Sequence, residues 1–515
     1  MEKDQTIIIG AGIGGLVSAA LLSARGVPVT VLEKEKSPGG KVRQLDVDGA
    51  AIDAGPTVFT MRDVIDDIFA AAGSNSDDHL ELQRADTFAR HAWSREETLD
   101  LFADSEKSAD AIGQFAGAKA AAGYRSFSKE AERIYKILDR SMLRNSKVSW
   151  PLPLMWRIGL WRIGDLIAIR PYESLWKVLG EHFDDPRLQQ LFGRYTTYCG
   201  SSPFQTPATL MLIAHVESQG VWKIKGGMNA LADALETVAK KNGTRFRYDA
   251  RVTGISVAGN RATGVELASG ERIPAASVIC NADPSALGSG QFGTEASRAV
   301  SAIPAQKRSL SAMVWLAKAK TSGFALDHHN VFFSSDYPAE FADIKSGKPP
   351  ERPTAYVCKL GDTGPDGAER LQIIVNAPAN GDSHHYTSEE KAKCTANMLR
   401  TLTHCGLEME PDFRHRLVTP NDFSTLFPAT GGALYGRASH GWAASFLRPG
   451  SRTRIHGLYC AGGATHPGAG VPMAALSGQR ASEAVLSDRT STSWFHRKAT
   501  AGGMSMRSAM TNATG

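Results

Sequence analysis

Apolar residues near the start of the chain fall into two short uninterrupted runs, separated by a stretch of small and apolar residues. Ile7-Ile8-Ile9 predicts a buried strand, Leu16 to Ala24 a helix, and Val29-Thr-Val-Leu32 a second strand that ends on Glu33. The turn Gly10-Ala-Gly-Ile-Gly-Gly15 places glycines at the three G-x-G-x-x-G positions, Gly10, Gly12 and Gly15. Gly10 lets the chain turn, Gly12 leaves a pyrophosphate room against bare backbone, and Gly15 lets helix and strand approach, with the helix N-terminus aimed at the phosphates. Glu33 stands at the distance expected for a ribose 2′-hydroxyl contact. Two other readings compete for this stretch. Gln5 to Ala24 carries no charge and contains Gly10-x-x-x-Gly14, as a membrane span with a packing motif would, but its glycines and Glu33 oppose that. A signal peptide would begin with net positive charge, whereas Glu2, Lys3 and Asp4 nearly cancel.

Further along, Val64 to Ala72 and Ser126 to Leu143 predict helices, and the Ala- and Gly-rich stretch 109 to 123 predicts a helix or a connector. Between Trp150 and Arg170, Trp156, Leu160, Ile163 and Ile167 share one helical face while Arg157, Arg162 and Asp165 lie off it. Such a face suits a membrane headgroup boundary, and a helix packed inside the protein is the competing reading. Gly226-Gly227 opens a helix from Asn229 to Lys241, followed by strands over 244–257 and 261–267 and by Val278-Ile-Cys-Asn-Ala-Asp-Pro284. Residues 300 to 420 alternate strand-like pieces with turn-rich insertions, which predicts a mostly antiparallel sheet beside a helix over 388–404. The block Gly457 to Gly478 predicts strand, glycine-rich turn and a helix starting near Pro472.

Composition narrows the class. At 515 residues, with 42% hydrophobic and 22% charged residues and 50 glycines, the chain reads as an α/β protein of at least two interleaved domains. A net charge of +5 without a basic stripe gives no reason to expect nucleic acid. Six scattered cysteines form no C-x-x-C pair, and His384-His385 has no partner at ligand spacing, so no metal is expected. Reduced thiols and the lack of a signal sequence point to the cytoplasm. The Ser-, Thr- and Gly-rich segment from Asp488 has four Arg or Lys against one Asp and predicts a flexible basic tail.

In order, the G-x-G-x-x-G turn, Glu33, Ser37-Pro-Gly-Gly-Lys-Val-Arg43, Asp53-Ala-Gly-Pro-Thr57 and the Gly457–Gly478 block resemble the carotenoid desaturases, FAD enzymes related to amine oxidases. The resemblance implies an α/β fold, a Rossmann-type FAD-binding domain interleaved with a mixed-sheet and helical substrate domain. Its parts would be FAD-binding segments over 1–90, 225–305 and 421–487, a helical membrane-facing part over 91–224, a substrate-domain sheet over 306–420 and the tail 488–515. It implies FAD contacts from Gly10, Gly12, Ile13, Gly14, Gly15, Glu33, Lys34, Gly39, Gly40 and Lys41, and from Gly55, Pro56 and Thr57 beside the isoalloxazine. Val252 would meet the adenine by its backbone, and Gly462, Gly463, Gly470, Val471, Pro472 and Met473 would close over the flavin. The family usually has Arg after the double glycine, so here the basic contact falls to Lys41 or Arg43.

Val58-Phe-Thr-Met-Arg62 and Gly220-Val-Trp222 look like the branch that dehydrogenates 1-hydroxy- or 1-methoxycarotenoids at C3-C4. That implies a lipophilic substrate, peripheral contact with a membrane, and an electron acceptor that is either oxygen or a quinone. A hydroxyl on C1 lies within roughly 5 Å of the reacting carbons, so its reader stands beside the flavin. Thr60 and Arg62 are the candidates, the alternative being that Arg62 pairs with a carboxylate on the next helix. A multistep phytoene-type desaturase, a carotenoid isomerase, an amine oxidase and a flavin-free prenyl-binding protein remain as other readings.

Overall fold

The computed structural model describes residues 4–139, 143–144, 168–442 and 444–501. Its organising element is a five-stranded parallel sheet in the order Leu458–Cys460, Ser277–Cys280, Thr6–Ile9 (β1), Val29–Leu32 (β2), Arg245–Arg247. β1 lies in the middle and is buried on both faces, the reason its apolar run is unbroken. Ile8 packs toward the helix Ile13–Ser23 (α1), whereas Ile7 and Ile9 pack toward a three-stranded antiparallel sheet, Val252–Ala258, Arg261–Leu267 and Arg272–Pro274. The chain crosses over on either side of β1, so a crevice opens at the carboxyl ends of β1 and Ser277–Cys280, the place where such sheets bind ligands.

A seven-stranded sheet forms the second layer, in the order Arg414–Val418, Ser311–Ala319, Glu369–Ala377, Ala355–Lys359, His329–Phe332, Thr87–Ala92, Thr98–Phe102. Only the pair His329–Phe332 and Thr87–Ala92 is parallel. Helix Ser388–His404, started by a Thr387–Glu390 capping box, covers one face, where Met398 and Leu402 meet Trp315 and Phe332. The other face looks toward the helices Ala118–Leu138, Pro186–Gly193 and Leu212–Ser218.

Some elements depart from the expectations. Strands 87–92 and 98–102 join the sheet expected from 306–420, so the mixed sheet draws on residues ahead of the helical segment. The Ala- and Gly-rich stretch forms the end of one helix, Ser105–Ala116, and the start of the next, Ala118–Leu138, with Gly117 between them. The tail expected to be flexible from residue 488 continues as helix Val471–Ala501. Its exit is anchored, because Asp488 accepts from Tyr459 Oη (2.6 Å) and pairs with Arg452, and Arg489 reaches Asp4 (2.9 Å). The face built from Trp156, Leu160, Ile163 and Ile167 lies outside the described residues. Among the described residues, no helix is long and apolar enough to cross a membrane.

Candidate active site

The crevice is built almost wholly of backbone. Gly10 has φ +95°, which favours glycine, and α1 starts with Gly12 as an N-cap that offers no side-chain acceptor. The first N–H groups of α1 are thus left for an outside anion. A Cβ on Gly15 would overlap the Gly10 carbonyl, and one on Gly14 would sit 2.7 Å from both Gly462 N and Asn281 Oδ1. Gly39 donates its N–H to Ala11 O (2.9 Å), which lays the double glycine 39–40 alongside Gly12. Asn281 donates to Gly10 O (3.3 Å), yet its buried Oδ1 has no partner among the described residues, and neither does Asp283 Oδ2. Asn281 was legible only as part of a strand end. Its signal was a polar side chain directly after an apolar parallel strand, the ligand end of the sheet.

Glu33 Oε2 accepts from Ala11 N–H (2.6 Å) and Oε1 from Glu35 N–H (2.9 Å). A carboxylate has about four acceptor positions, so capacity remains for ribose hydroxyls. Burial pushes its pKa up, against those two N–H bonds, which pull it down. Ala250 N–H bonds Glu33 O (2.8 Å), which brings Val252 to the end of β2. The Lys34 amine is taken by Leu426 O at the surface. Lys41 donates to Leu434 O (2.6 Å) over the Phe427 ring, and burial holds its pKa below the ordinary lysine value. Arg43, in contrast, keeps Nε and Nη1 buried without a partner among the described residues. Of the two basic candidates, Arg43 therefore has the uncommitted donors.

Asp53 joins these parts. Its Oδ2 accepts from Met228 N–H (2.7 Å) at the entry of helix Asn229–Lys241, and Gly227 stands at φ +85° with no room for a Cβ beside that carboxylate. Gln372 Nε2 donates to Asp53 O and Gly55 O, both at 2.8 Å, fixing the Gly-Pro-Thr turn from the second sheet. Thr57 Oγ1 bonds Tyr356 Oη (2.7 Å), which also bonds His329 Nδ1 (2.7 Å). From the other side, helix Val471–Ala501 begins after Gly470 (φ +106°), and Gly462 N–H donates to Ser477 Oγ (2.7 Å).

Pro56, Thr57, Thr60 and the segment Gly470–Met473 line a cavity of about 320 Å³. Its walls are mostly apolar, with Leu138, Leu143, Ile169, Ile213 and Val216 among them. Among the described residues of the lining, Glu217 is the carboxylate, and Arg194 and Arg448 are the cations. Tyr195 and Tyr198 both donate to Glu217, the latter at 3.1 Å, and Arg194 Nη2 donates to Tyr198 Oη (3.0 Å). Arg194, Tyr198, Glu217 and Tyr356 received no role from the sequence. Arg62 requires correction as a hydroxyl reader. Met61 lines the cavity at φ +50°, and the helix Arg62–Ala71 then starts, where Arg62 pairs with Asp66 (3.2 Å) and Asp77 instead of lining the cavity. The fold also brings His328, His329 and Cys358 within 4.8 Å of one another, a grouping invisible as sequence spacing; His329 Nδ1 is already engaged by Tyr356.

Glu340 orients part of the wall. It is 1% exposed and accepts from Thr354 N–H (3.0 Å), Thr354 Oγ1 (2.7 Å) and Asn376 Nδ2 (3.4 Å), two residues that line the cavity. Burial raises its pKa to about 7 from the ordinary 4.5. The folded state thus favours the protonated acid, so the stability this group contributes is fully present below pH 4.5 and is lost as pH rises through about 7. Glu340→Gln is expected to unfold later than wild type above pH 7, by an amount approaching ~3 kcal/mol, with the curves converging below pH 4.5. Parallel curves across that range would disprove the assignment.

A dinucleotide-type cradle with an uncapped helix start, orphaned acceptors and an apolar cavity at its edge defines a flavin-dependent oxidoreductase. The cradle fits FAD: Glu33 would take the ribose, the Gly10–Gly15 turn and α1 the pyrophosphate, and Thr57 with Gly470–Met473 the ring. Comparison with known proteins agrees. The model of the flavin containing amine oxidoreductases matches residues 13–486. The chain is 48% identical to the hydroxyneurosporene desaturase of Rubrivivax gelatinosus, over 99% of this chain and 98% of that protein. It is 30% identical to the 1-hydroxycarotenoid 3,4-desaturase of a Flavobacterium species, over 92% of this chain and 97% of that one. Among solved structures, wild-type putrescine oxidase bound to putrescine superposes with a TM-score of 0.59 at 17% identity, covering 94% of this chain and 99% of that one, a likeness of fold. The chain belongs to the flavin containing amine oxidoreductase family and, within it, to the carotenoid desaturases. It is an FAD-dependent oxidoreductase.

Proposed function

We propose that the protein removes two hydrogens from C3-C4 of an acyclic 1-hydroxy- or 1-methoxycarotenoid. The observation that carries this reading is the position of the cavity. Its lining joins the Gly-Pro-Thr turn and Gly470–Met473 to long apolar walls, so a hydrocarbon chain entering it ends beside the cradle. FAD, when bound, supplies the acceptor for a hydride. The protein's own residues then have three tasks. The apolar walls align the polyene and exclude water, Gln372 and Asp53 hold the Gly-Pro-Thr turn, and Thr57 is fixed by Tyr356. An amine oxidase reading is less favoured, because among the described residues of the lining two arginines stand against one carboxylate, a balance that disfavours a protonated amine. Oxygen or a quinone serves as the final electron acceptor.

The test is product analysis with FAD-loaded enzyme and a panel of 1-hydroxy, 1-methoxy and unsubstituted acyclic carotenoids. One additional conjugated double bond per turnover on the substituted substrates is expected. Products with no net oxidation would mean an isomerase, and several new double bonds a multistep desaturase.

The same reading places the enzyme at the cytoplasmic surface of a membrane, where such substrates dissolve. Support comes from Tyr172, Trp442 and Leu447, the exposed large hydrophobic side chains among the described residues, at 78%, 43% and 46%. The Tyr172 and Trp442 rings lie 5.7 Å apart, and Trp442 and Pro171 line the cavity, so the exposed pair marks its rim. Aromatic rings of this kind favour the headgroup boundary. Replacing Tyr172 and Trp442 together by Glu is expected to lower liposome co-sedimentation by roughly tenfold with FAD content unchanged. Undiminished co-sedimentation would remove the pair from that role.

A further inference from the structure

Arg194 is an unusual residue to find in an apolar cavity. Its side chain belongs to a residue only 7% exposed, and it carries five N–H donors, of which one has a partner among the described residues, the bond to Tyr198. Nε is buried with no partner among those residues. The second arginine of the lining differs, since Arg448 gives Nη1 to Tyr435 O and Nη2 to Arg437 O, both at 2.8 Å, and so acts as a backbone tie. Leaving charged donors unspent in a buried site costs stability unless a ligand uses them.

Beside Arg194 lies the complementary group. Glu217 accepts one bond from each of two tyrosines, which uses two of a carboxylate's roughly four acceptor positions. A hydroxyl presents both an oxygen that accepts and a proton that donates, and a site with a spare donor and a spare acceptor satisfies both. The cluster lines the same cavity as the Gly-Pro-Thr turn and the segment Gly470–Met473. Tyr198, Val58 and Met473 pack on one apolar cluster, Val58 follows Thr57 directly, and Met473 belongs to the segment Gly470–Met473. Tyr356, which bonds both Thr57 and His329, lines that cavity together with Arg194.

We propose that Arg194, Tyr198 and Glu217 form the reader of the substrate's C1 hydroxyl, with Arg194 donating to its oxygen and Glu217 accepting its proton. The proposal rests on the 1-hydroxycarotenoid reading. It also replaces Arg62 in that role. A site built to bond a hydroxyl discriminates against the analogue that lacks it, because its own polar groups are then left unpaired.

The experiment compares equilibrium binding of two desaturated products, one with the C1 hydroxyl and one without, followed by the polyene's visible absorption, together with kcat/KM on the matching substrates. Wild type is expected to prefer the hydroxylated member by about tenfold or more, the worth of one charged hydrogen bond. Arg194→Met is expected to remove most of that preference while FAD content is retained. Tyr198→Phe, which keeps the ring and the packing, is expected to weaken the preference in the same direction, and it carries the test if Arg194→Met does not fold. A wild-type preference that survives in the variants would overturn the proposal alone. So would equal losses on both ligands, which would make Arg194 structural. No preference in wild type itself would bring down the 1-hydroxycarotenoid reading and the proposal with it.

Discussion

Gly12→Val is expected to yield a folded protein that purifies with little or no flavin. Gly12 has φ −77° and ψ 172°, an ordinary extended conformation open to any residue. A Cβ there meets one side-chain end, Asn281 Nδ2 at 2.9 Å, and otherwise only an Asn281 carbon at 4.0 Å. Nothing in the backbone therefore demands glycine at this position, in contrast to Gly15, whose Cβ would overlap the Gly10 carbonyl. What remains to require it is a ligand laid against the turn. Losing glycine at the N-cap costs the helix about 1 kcal/mol, whereas overfilling the pyrophosphate space costs about 1–3 kcal/mol of binding, roughly tenfold or more in affinity. Visible flavin absorbance per protein, read beside the unfolding temperature, separates the two. Normal flavin in a folded Gly12→Val protein would sink the placement of the cofactor.

Gly478→Leu is expected to damage both the fold and the cofactor site. A Cβ at 478 would overlap the carbonyl oxygen of Gly14, where the C-terminal helix crosses α1. Ser18 Oγ holds the crossing by donating to Gly14 O (2.8 Å) and Gly478 O (2.9 Å). Forcing the helices apart costs about 1–3 kcal/mol for the overlap and about 1 kcal/mol for the hydrogen bond, against about 1 kcal/mol regained in helix propensity. The unfolding temperature should drop by a few degrees, and the flavin should be lost with the alignment of the helix ends. Gly180→Ala is the control, since a Cβ there meets nothing closer than Gln189 Nε2 at 4.0 Å. Wild-type melting of Gly478→Leu would refute the role of the crossing.

These expectations also mark what the amino-acid pattern conveys. The turn from Gly10 to Gly15, β2 and Glu33 were legible because a strand buried on both faces must be apolar throughout and a phosphate turn must lack side chains. The substrate side was much less legible. Arg62 stands close after the Gly-Pro-Thr turn in sequence, but the left-handed Met61 redirects the chain and Asp66 and Asp77 claim the guanidinium. Arg194 and Glu217 stand 23 positions apart, and Tyr198, 4 and 19 positions from them, hydrogen-bonds to both. Tyr356 reaches Thr57 across 299 positions. No local period records contacts of that kind.

Because the parallel sheet takes its middle strand from residues 6–9 and its last from residues 458–460, a ribosome has delivered everything between them before that sheet is whole. Gly462 follows two residues later, so the cradle is finished only after residue 462 has been made. FAD thus meets a polypeptide that already extends past residue 462, and whatever it contributes to stability comes after all three segments are made, by mass action on the folded form. A cell short of riboflavin is expected to hold full-length chains that are degraded faster, and the half-life of newly made protein with and without added riboflavin measures this. On that view vitamin supply sets how much enzyme persists as well as how much of it is active.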